Sequence, residues 1–342
     1  MNNKLWNRTD LIDEAEEVVL HQTTAQKENL QQNNGVTIEE WQENRVKITK
    51  VQVTAQGEEQ IGKKKGTYVT LSLPTLTTED KQGFSQLEQT FMRYLKEVHK
   101  DISLAEGRVL VVGLGNKTIT PDAIGPVTID AMHKEQSELE APEFILYAPG
   151  VTGQTGFETK EFIAALTEKV KPALVIIVDA LATSSSERLC RTIQLTDTGI
   201  HPGAGVGNMR AEISYESLGV PVTAIGIPTV VQAPVLIADA VERVFRTIAA
   251  RVEEKSKPSH KLSVTNWQSD VSGADLELVR PIFGEWATWT TADLRQLFEE
   301  MYTAHPERLI VTPKEMDSWL MHYAFLISKC LFEWMKTTKR AF

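Results

Sequence analysis

Two aspartates stand where apolar segments end, and together they could catalyse hydrolysis. Asp122 follows the apolar segment 109–112 and the glycine turn that starts at Gly113. Asp179 directly follows the five apolar residues 174–178. Because the carboxyl ends of parallel strands face one crevice, we expect the two carboxyl groups to meet there. Two neighbouring carboxyls separate their pKa values, so that one can hold a proton while the other activates water, as acid–base peptide hydrolysis requires.

Each aspartate also has an ordinary structural explanation. Asp122 follows Pro121 and Thr120, which suit the first turn and the cap of a helix, and the helix dipole favours an acid there. Asp179 is harder to explain in this way, because a carboxylate at the end of a buried strand must be hydrogen-bonded, paired or functional. We expect Asp122 and Asp179 to be the catalytic pair, with Asn116 lining the same crevice.

A third segment, 196–208, follows an apolar strand and contains four glycines, Asp197 and His201. Glycines at this density permit close approach of the backbone to a ligand or to another subunit. His201 could carry a proton or bind a metal, and a structural role is equally open to it. We expect Asp197 and His201 to support the crevice.

Other catalytic and cofactor motifs are absent from the sequence. The turn at Gly113 resembles a phosphate-binding glycine loop, but Thr118 occupies the position of its third glycine. The sequence has no G-x-S-x-G or H-E-x-x-H motif, and Cys190 and Cys330 lack the spacing of a zinc or redox site. We therefore predict neither a cofactor nor a bound metal.

The composition indicates an acidic protein of the cytoplasm. The 342 residues carry a formal net charge of −10, which argues against nucleic acid as a direct ligand and is compatible with a basic polypeptide partner. Two cysteines are too few for a disulfide framework, and the sequence shows no signal core or membrane-spanning run. We expect no membrane partner.

Short apolar strands alternate with amphipathic helices between residues 109 and 254, which predicts an α/β fold with a mostly parallel sheet covered by helices. Before this region, 45–54 and 67–73 alternate with period two and predict a β-hairpin with a charged, solvated tip. The tryptophan-rich region after 256 has helical spacing and predicts a helical tail that packs on the core. These predictions position the two aspartates on one α/β core.

Over residues 8–250 the chain resembles the germination protease family of spore-forming bacteria, whose members are endopeptidases that degrade small acid-soluble spore proteins. Several uninterrupted motifs in the same order carry the resemblance. They are V-V-G-L-G-N at Val111–Asn116, T-P-D-A-I-G-P at Thr120–Pro126, A-P-G-V-T-G at Ala148–Gly153, V-D-A-L-A at Val178–Ala182 and D-T-G-I-H-P-G-A-G-V-G-N from Asp197.

The resemblance implies an aspartic-type endopeptidase with Asp122 and Asp179 as the essential carboxylates. It also implies a homotetramer, made as a zymogen that cleaves itself near Asp10 and Leu11, in the cytoplasm of the forespore and the spore core. Its substrates would be the small acid-soluble proteins that coat spore DNA. The expected organisation is a candidate propeptide at 1–10, a peptidase core at 11–255 with the hairpin at about 45–75, and a Trp-rich extension at 256–342.

Two alternatives stay open at this point. The same core is similar to hydrogenase-maturation endopeptidases, in which acidic residues at the two corresponding strand ends bind a metal together with a histidine. This chain carries Asp122 where that relative has Glu, and a stoichiometric metal in the purified protein would favour this alternative. The other is a non-catalytic nucleotide-binding module, which predicts tight binding of a dinucleotide and no need for Asp122.

Overall fold

The computed structural model describes residues 35–104, 107–138, 144–150, 158–203, 211–255, 271, 273–303 and 309–339. The candidate propeptide at 1–10 and the predicted cleavage site at Asp10 and Leu11 lie outside these residues. The chain divides into two compact units. Unit 1 contains Met1–Thr183, Glu187–Val230 and Thr312–Phe342, and unit 2 contains Ser184–Ser186 and Val231–Val311.

The described residues form an α/β structure. The strands are β1 (Val36–Glu43), β2 (Val46–Val53), β3 (Gly66–Ser72), β4 (Val109–Gly113), β5 (Phe144–Tyr147), β6 (Leu174–Thr183), β7 (Thr192–Thr196), β8 (Val222–Gln232) and β9 (Ile310–Val311). The α-helices are α1 (Ala55–Ile61), α2 (Lys81–Val98), α3 (Ile124–Gln136), α4 (Thr159–Val170), α5 (Tyr215–Leu218), α6 (Ala233–Lys255), α7 (Arg280–Phe283), α8 (Thr291–Thr303) and α9 (Met316–Lys339).

The sheet of unit 1 has the strand order β1-β2-β3-β7-β8-β6-β4-β5. β4 pairs in parallel with β5 and β6, whereas the pairs from β1 to β8 on the other side are antiparallel. All five residues of β4 are buried, as expected for a parallel strand covered on both faces. The predicted α/β class is therefore confirmed, with the parallel pairing located around β4.

The predicted N-terminal hairpin is present, with two additions. β2 and β3 pair antiparallel over Lys47–Val53, and α1 occupies part of the connection between them. Thr54 caps α1 at its start, and Gly62 ends it in the left-handed conformation at φ 68°. β1 adds a further antiparallel strand to β2, which the sequence interpretation had missed.

The C-terminal helix α9 packs into the main core of unit 1. Its residues contact α2 and α3, and Phe84 of α2 packs against Trp319 and Tyr323 with ring centroids 5.9 and 5.8 Å apart. The Tyr323 hydroxyl donates a hydrogen bond of 2.8 Å to the Cys190 carbonyl oxygen. The helix that we predicted at the end of the chain therefore supplies a layer of this core.

Unit 2 has its own small core. Phe245 and Ala249 of α6 are buried with Val279 and Ala287, and Trp286 meets the Phe245 ring edge-on at a centroid distance of 4.9 Å. β9 pairs with the last two residues of β8. Helix α6 thus clusters with the residues that follow it, whereas we had predicted a boundary between 255 and 256.

None of the helices in the described ranges is long and apolar enough to cross a membrane.

Candidate active site

The backbone around Asp179 is set by the pairing of β4 with β6. Gly113, the last residue of β4, is the register partner of Val178, and the Leu114 N–H continues the pairing with a 2.9 Å hydrogen bond to the Val178 carbonyl oxygen. Asp179 is the next residue of β6, so it lies where β4 has ended. β6 itself continues to Thr183, four residues further than the predicted strand end.

Asp179 is buried in this strand. Its side chain is 5% exposed, and its Oδ1 accepts a hydrogen bond of 2.9 Å from the N–H of Ala180. Burial of a carboxylate is costly unless hydrogen bonds or a partner compensate for the lost hydration. The structure therefore buries the Asp179 carboxyl in an apolar strand, beside the residues that follow β4.

The loop that follows β4 folds back on itself, so that Asp122 lies close to Gly115 and Asn116. Asp122 ends a short 3-10 turn, Thr120–Asp122, before α3 begins, and its Oδ2 accepts a hydrogen bond of 2.8 Å from the Asn116 N–H. Gly115 has φ +114°, and a Cβ there would lie 1.9 Å from the Asp122 carbonyl oxygen. Only glycine fits at residue 115 without displacing Asp122.

The helix-start explanation of Asp122 applies to a short 3-10 turn rather than to α3, because Pro121 and Asp122 both lie in the first turn of Thr120–Asp122. Asp122 lies in a separate 3-10 turn, Thr120 makes no capping hydrogen bond there, and the first turn of α3 contains no acid. The carboxylate instead closes the loop that begins at Asn116. Asp122 therefore has a structural role in this loop, which is compatible with the expected catalytic role.

A second glycine lets α3 approach the strands closely. A Cβ on Gly125 would lie 2.2 Å from the Leu114 carbonyl oxygen and 2.6 Å from the Val178 carbonyl oxygen. Cα atoms of the turn Thr120–Asp122 lie within 8 Å of Cα atoms of β6. The turn that carries Asp122 and the strand that carries Asp179 are therefore neighbours, and we call this region, 114–123 with Asp179, the β4–β6 crevice.

Asn116 organises the rim of the β4–β6 crevice. Its side-chain Oδ1 accepts hydrogen bonds from the Thr118 N–H and hydroxyl, at 3.0 and 2.8 Å, and its carbonyl oxygen accepts from the Ile119 N–H at 3.0 Å. Lys117 forms an ion pair with Asp130 of α3. The side chain of Asn116 thus shapes the loop, while its backbone N–H contacts the Asp122 carboxylate.

Asp197 lies at the other end of the sheet. β7 runs antiparallel to β8, and its last residue, Thr196, pairs with Ala224 near the start of β8. The Val175 N–H at the start of β6 bonds to the Pro221 carbonyl oxygen just before β8. Asp179 is four residues further along β6, which corresponds to about 13 Å at the usual rise of a strand.

The Asp197 carboxyl has a structural partner there. Its Oδ1 accepts a 2.7 Å hydrogen bond from the N–H of Thr67 in β3. Desolvation raises the pKa of the Asp197 carboxyl above its ordinary value, and the Thr67 hydrogen bond opposes that rise. This contact extends the pairing of β3 with β7.

His201 lies in a cluster of charged groups at the same end. Its Nε2 is 3.8 Å from a carboxylate oxygen of Glu212, and Lys64 forms ion pairs of 2.6 Å with both Glu212 and Glu216. Desolvation, together with Lys63 and Lys64, lowers the pKa of His201 below its ordinary value, whereas Glu212 acts in the opposite direction. We call this region, 197–203 with 211–216, the β7 loop.

The expectation that Asp197 and His201 support the crevice was therefore wrong. The structure brings Asn116 and Asp122 together and places their loop beside the strand of Asp179, but it places Asp197 and His201 at the opposite strand ends. The antiparallel direction of β7 is the reason. Residues 204–208 of the segment 196–208 lie outside the described residues.

Sequence reasoning overlooked Ile119 on the rim of the crevice. Its carbonyl oxygen accepts a 2.8 Å hydrogen bond from the Asp122 N–H, and its side chain is 50% exposed. The signal was available, since an isoleucine stands among polar residues between two glycine-containing motifs. Among the described residues, no group of three or more His, Cys, Asp and Glu side chains is arranged to hold a metal ion.

The amino-acid sequence is similar to those of known peptidases. A family model described as "Germination protease" matches residues 12–338. The chain is 37% identical to the germination protease of Priestia megaterium over 339 residues, which cover 94% of this chain and 91% of that protein. It is 36% identical to the germination protease of Halalkalibacterium halodurans over 350 residues, or 97% of this chain and 94% of the relative.

Among solved structures, a NiFe hydrogenase maturation protease HycI from Thermococcus kodakarensis matches 39% of this chain and 80% of its own, with 21% identity and a TM-score of 0.27. The family model and the relatives, by contrast, span nearly the whole chain. The chain belongs to the germination protease family of peptidases.

Proposed function

We propose that this chain is an endopeptidase that starts the degradation of small acid-soluble proteins on spore DNA during germination, with Asp122 and Asp179 as its catalytic carboxyls. Membership in the germination protease family supports a protein substrate in spores. The observation that carries the catalytic assignment is the proximity of the turn Thr120–Asp122 to β6, at the point where β4 has ended.

In the proposed mechanism the two carboxyls hold one proton between them. The ionised carboxylate removes a proton from a water molecule as the water oxygen attacks the peptide carbon, while the protonated carboxyl donates its proton to the carbonyl oxygen. When the tetrahedral intermediate collapses, the C–N bond breaks and the leaving nitrogen takes the proton from the carboxyl that had received it from water. The other carboxylate removes a proton from a hydroxyl of the intermediate, which restores the shared proton of the pair. Closely spaced carboxyls titrate as a pair, so the acid and base roles belong to the pair rather than to one residue.

The charge of the chain suits such a substrate. With a formal net charge of −10, the protein attracts neutral or basic polypeptides more readily than nucleic acid. We propose that the enzyme acts on the protein coat of spore DNA without binding the DNA itself, in the cytoplasm of the forespore and in the spore core.

The proposal includes synthesis as a zymogen that cleaves itself near Asp10 and Leu11. The segment 8–15 combines acidic, aliphatic and small residues like those expected in the substrates. Mass spectrometry after incubation at mildly acidic pH tests this step. We expect a shortened N-terminus in the wild-type chain and an intact one in Asp179→Asn, and an intact wild-type N-terminus would contradict self-processing.

Assembly as a homotetramer is also part of the proposal. Unit 2 exposes apolar side chains, among them Met301 at 57% and Trp289 at 41%, and tryptophan is enriched in protein interfaces. Trp286, by contrast, is packed against Phe245 within the unit. Light scattering at micromolar concentration tests the assembly, and a monomer mass would refute it.

The decisive experiment for the activity is incubation with a purified small acid-soluble spore protein, followed by mapping of the cut sites by mass spectrometry. We expect a small set of defined cuts with the processed wild-type chain and none with Asp122→Asn or Asp179→Asn. Asp197→Asn is the matched control, because its carboxyl lies at the opposite strand ends, bonded to Thr67. Cuts that persist in the two catalytic variants would overturn the assignment.

A further inference from the structure

The loop between β4 and Asp122 contains polar side chains that already have partners. The Asn116 side chain accepts hydrogen bonds from Thr118, and Lys117 is paired with Asp130. The side chains of Asn116 and Lys117 therefore stabilise the conformation of the loop. In addition to these polar groups, the loop exposes the aliphatic side chain of Ile119, three residues before Asp122.

Ile119 is held firmly although its side chain is exposed. Its N–H donates to the Asn116 carbonyl oxygen at 3.0 Å, and its carbonyl oxygen accepts from the Asp122 N–H at 2.8 Å. The backbone between these two bonds is extended, with φ −114° and ψ 100°. A β-branched side chain adds stiffness at χ1. The backbone of Ile119 is thus fixed next to that of Asp122, while the Ile119 side chain stays 50% exposed.

We propose that Ile119 is a specificity residue, which contacts an aliphatic side chain of the peptide substrate next to the bond that is cut. This inference rests on the proposed function. Ligand sites typically combine apolar surface with a few polar groups, and Ile119 supplies apolar surface one hydrogen bond away from Asp122. An aliphatic substrate side chain packed on it removes both surfaces from water without ordering a mobile loop residue.

An isoleucine at this position also disfavours polar substrate side chains. A serine or an acidic side chain in the same position would lose its hydration against the isoleucine without gaining a hydrogen bond. Discrimination from a single apolar contact is modest, about 10- to 200-fold in kcat/KM. The proposal therefore predicts a preference at one substrate position rather than an absolute requirement.

The test uses peptides that span a cut site mapped with the protein substrate. Four substrate positions are tested, two on either side of the scissile bond. At each position one peptide carries Leu and the other carries Ser, and kcat/KM is measured for both peptides. The enzymes are the processed wild-type chain, Ile119→Thr, which keeps the β-branch but replaces the ethyl group with a hydroxyl, and Ile119→Val, which has the shape of threonine but stays aliphatic. Ile282→Thr, at an isoleucine of unit 2 that is 66% exposed, is the matched control.

We expect the wild-type chain to favour Leu over Ser at one position by about 10-fold or more, from the usual value of an apolar contact. That ratio should fall several-fold in Ile119→Thr, recover in Ile119→Val and stay unchanged in Ile282→Thr. An equal loss of kcat/KM on Leu and Ser peptides in Ile119→Thr would indicate a structural role and overturn the inference. A ratio that is unchanged at all four positions would overturn it as well.

The same experiment separates this inference from the proposed function. If Asp122→Asn loses cleavage of every peptide while the Leu-to-Ser ratios are the same in wild type and Ile119→Thr, the inference fails and the catalytic assignment survives. If the wild-type chain cuts none of the peptides or the protein substrate, the proposed function fails and the inference fails with it. Thermal unfolding of each variant verifies that the compared enzymes are folded.

Discussion

The loop after β4 and the β7 loop both follow buried strands, and both contain glycines, an aspartate and further polar side chains. In the first, the Asp122 carboxylate accepts a backbone N–H from its own loop and lies next to the strand of Asp179. In the second, the Asp197 carboxyl accepts the N–H of Thr67 from a neighbouring strand. One loop places its aspartate next to the strand of the buried Asp179, and the other uses its carboxyl to extend the sheet.

The difference teaches that strand direction, rather than residue type, separates the two regions. β4 and β6 run parallel, so the chain segments that follow Val112 and Val178 emerge side by side. β7 runs against β8, so its last residues reach the end of the sheet where β6 begins. A glycine-rich loop with an aspartate thus contributes to the β4–β6 crevice only when its strand points there.

The largest expected effect comes from removing either carboxyl of the β4–β6 crevice. We predict that Asp122→Asn and Asp179→Asn each lower kcat by about 10³-fold or more, as loss of a catalytic group typically does. Asp197→Asn should change kcat by less than about tenfold, because its carboxyl serves the pairing of β3 with β7. Initial rates on one protein substrate measure all three. A loss in Asp197→Asn as large as in Asp122→Asn would break the comparison.

The next effect concerns stability at the sheet end that carries the β7 loop. His99 is buried there, its Nε2 2.8 Å from the Thr223 hydroxyl and its ring against Trp334, and burial lowers its pKa to about 4. The folded protein therefore binds fewer protons than the unfolded chain between about pH 6.5 and 4. We predict that this contribution is complete above about pH 6.5 and that roughly 3 kcal/mol is lost as the pH falls to about 4.

Denaturant unfolding at pH 7 and at about pH 4.5 measures the change for His99, since the ordinary histidine pKa lies between these values. His99→Gln removes the titrating group while keeping a partner for Thr223, so its stability should depend less on pH over this interval. An equal pH dependence in wild type and His99→Gln would show that His99 is not the responsible group.

A third effect tests how the backbone positions Asp122. Gly115→Ala would place a Cβ 1.9 Å from the Asp122 carbonyl oxygen at φ +114°, so the loop must shift. We predict a loss in kcat/KM of about 10²-fold, the usual consequence of misplacing a catalytic group by about 1 Å. Gly219→Ala is the matched control, because Gly219 also has a positive φ, +71°, but no atom within 4 Å of such a Cβ. Comparable losses of activity in both variants would point to general destabilisation.

The smallest effect belongs to the charged cluster of the β7 loop. Lys64→Met removes the ion pairs with Glu212 and Glu216 and the cause of the lowered pKa of Glu216, which is about 2. Since Glu216 is largely exposed, we predict a change below about 1 kcal/mol in the free energy of unfolding. Activity should be unchanged within error. A large loss of activity in Lys64→Met would show that the β7 loop contributes to catalysis after all.

Much of the fold was predictable from local patterns. The apolar runs at 109–112 and 174–178 lie in β4 and β6, and amphipathic helices such as α3 and α4 alternate with the strands as predicted. These patterns are local, because a buried strand or an amphipathic helix shows its environment in its own residues. The continuation of β6 past Asp179 was not predicted, since a carboxylate after an apolar run looks like a strand end.

Other features depended on contacts between distant residues. β1 was missed because Glu39, Glu40 and other polar residues interrupt its apolar pattern, although it pairs with β2 over all eight residues. Helix α6 was assigned to the core, whereas it packs with α8 in unit 2. Periodicity reports which face of an element is buried and carries no information about its partner.

The alternation of strands and helices, the ordered motifs of the germination protease family and the hypothesis that pairs Asp122 with Asp179 all came from the amino-acid sequence alone. Only the tertiary structure decided that Asp197 and His201 lie at the opposite strand ends, and that Ile119 stays exposed beside Asp122. The physical reason is that a strand has the same alternation and the same apolar content in either direction. Its direction, and with it the place of the loop that follows, is set by hydrogen bonds to strands far away in the chain.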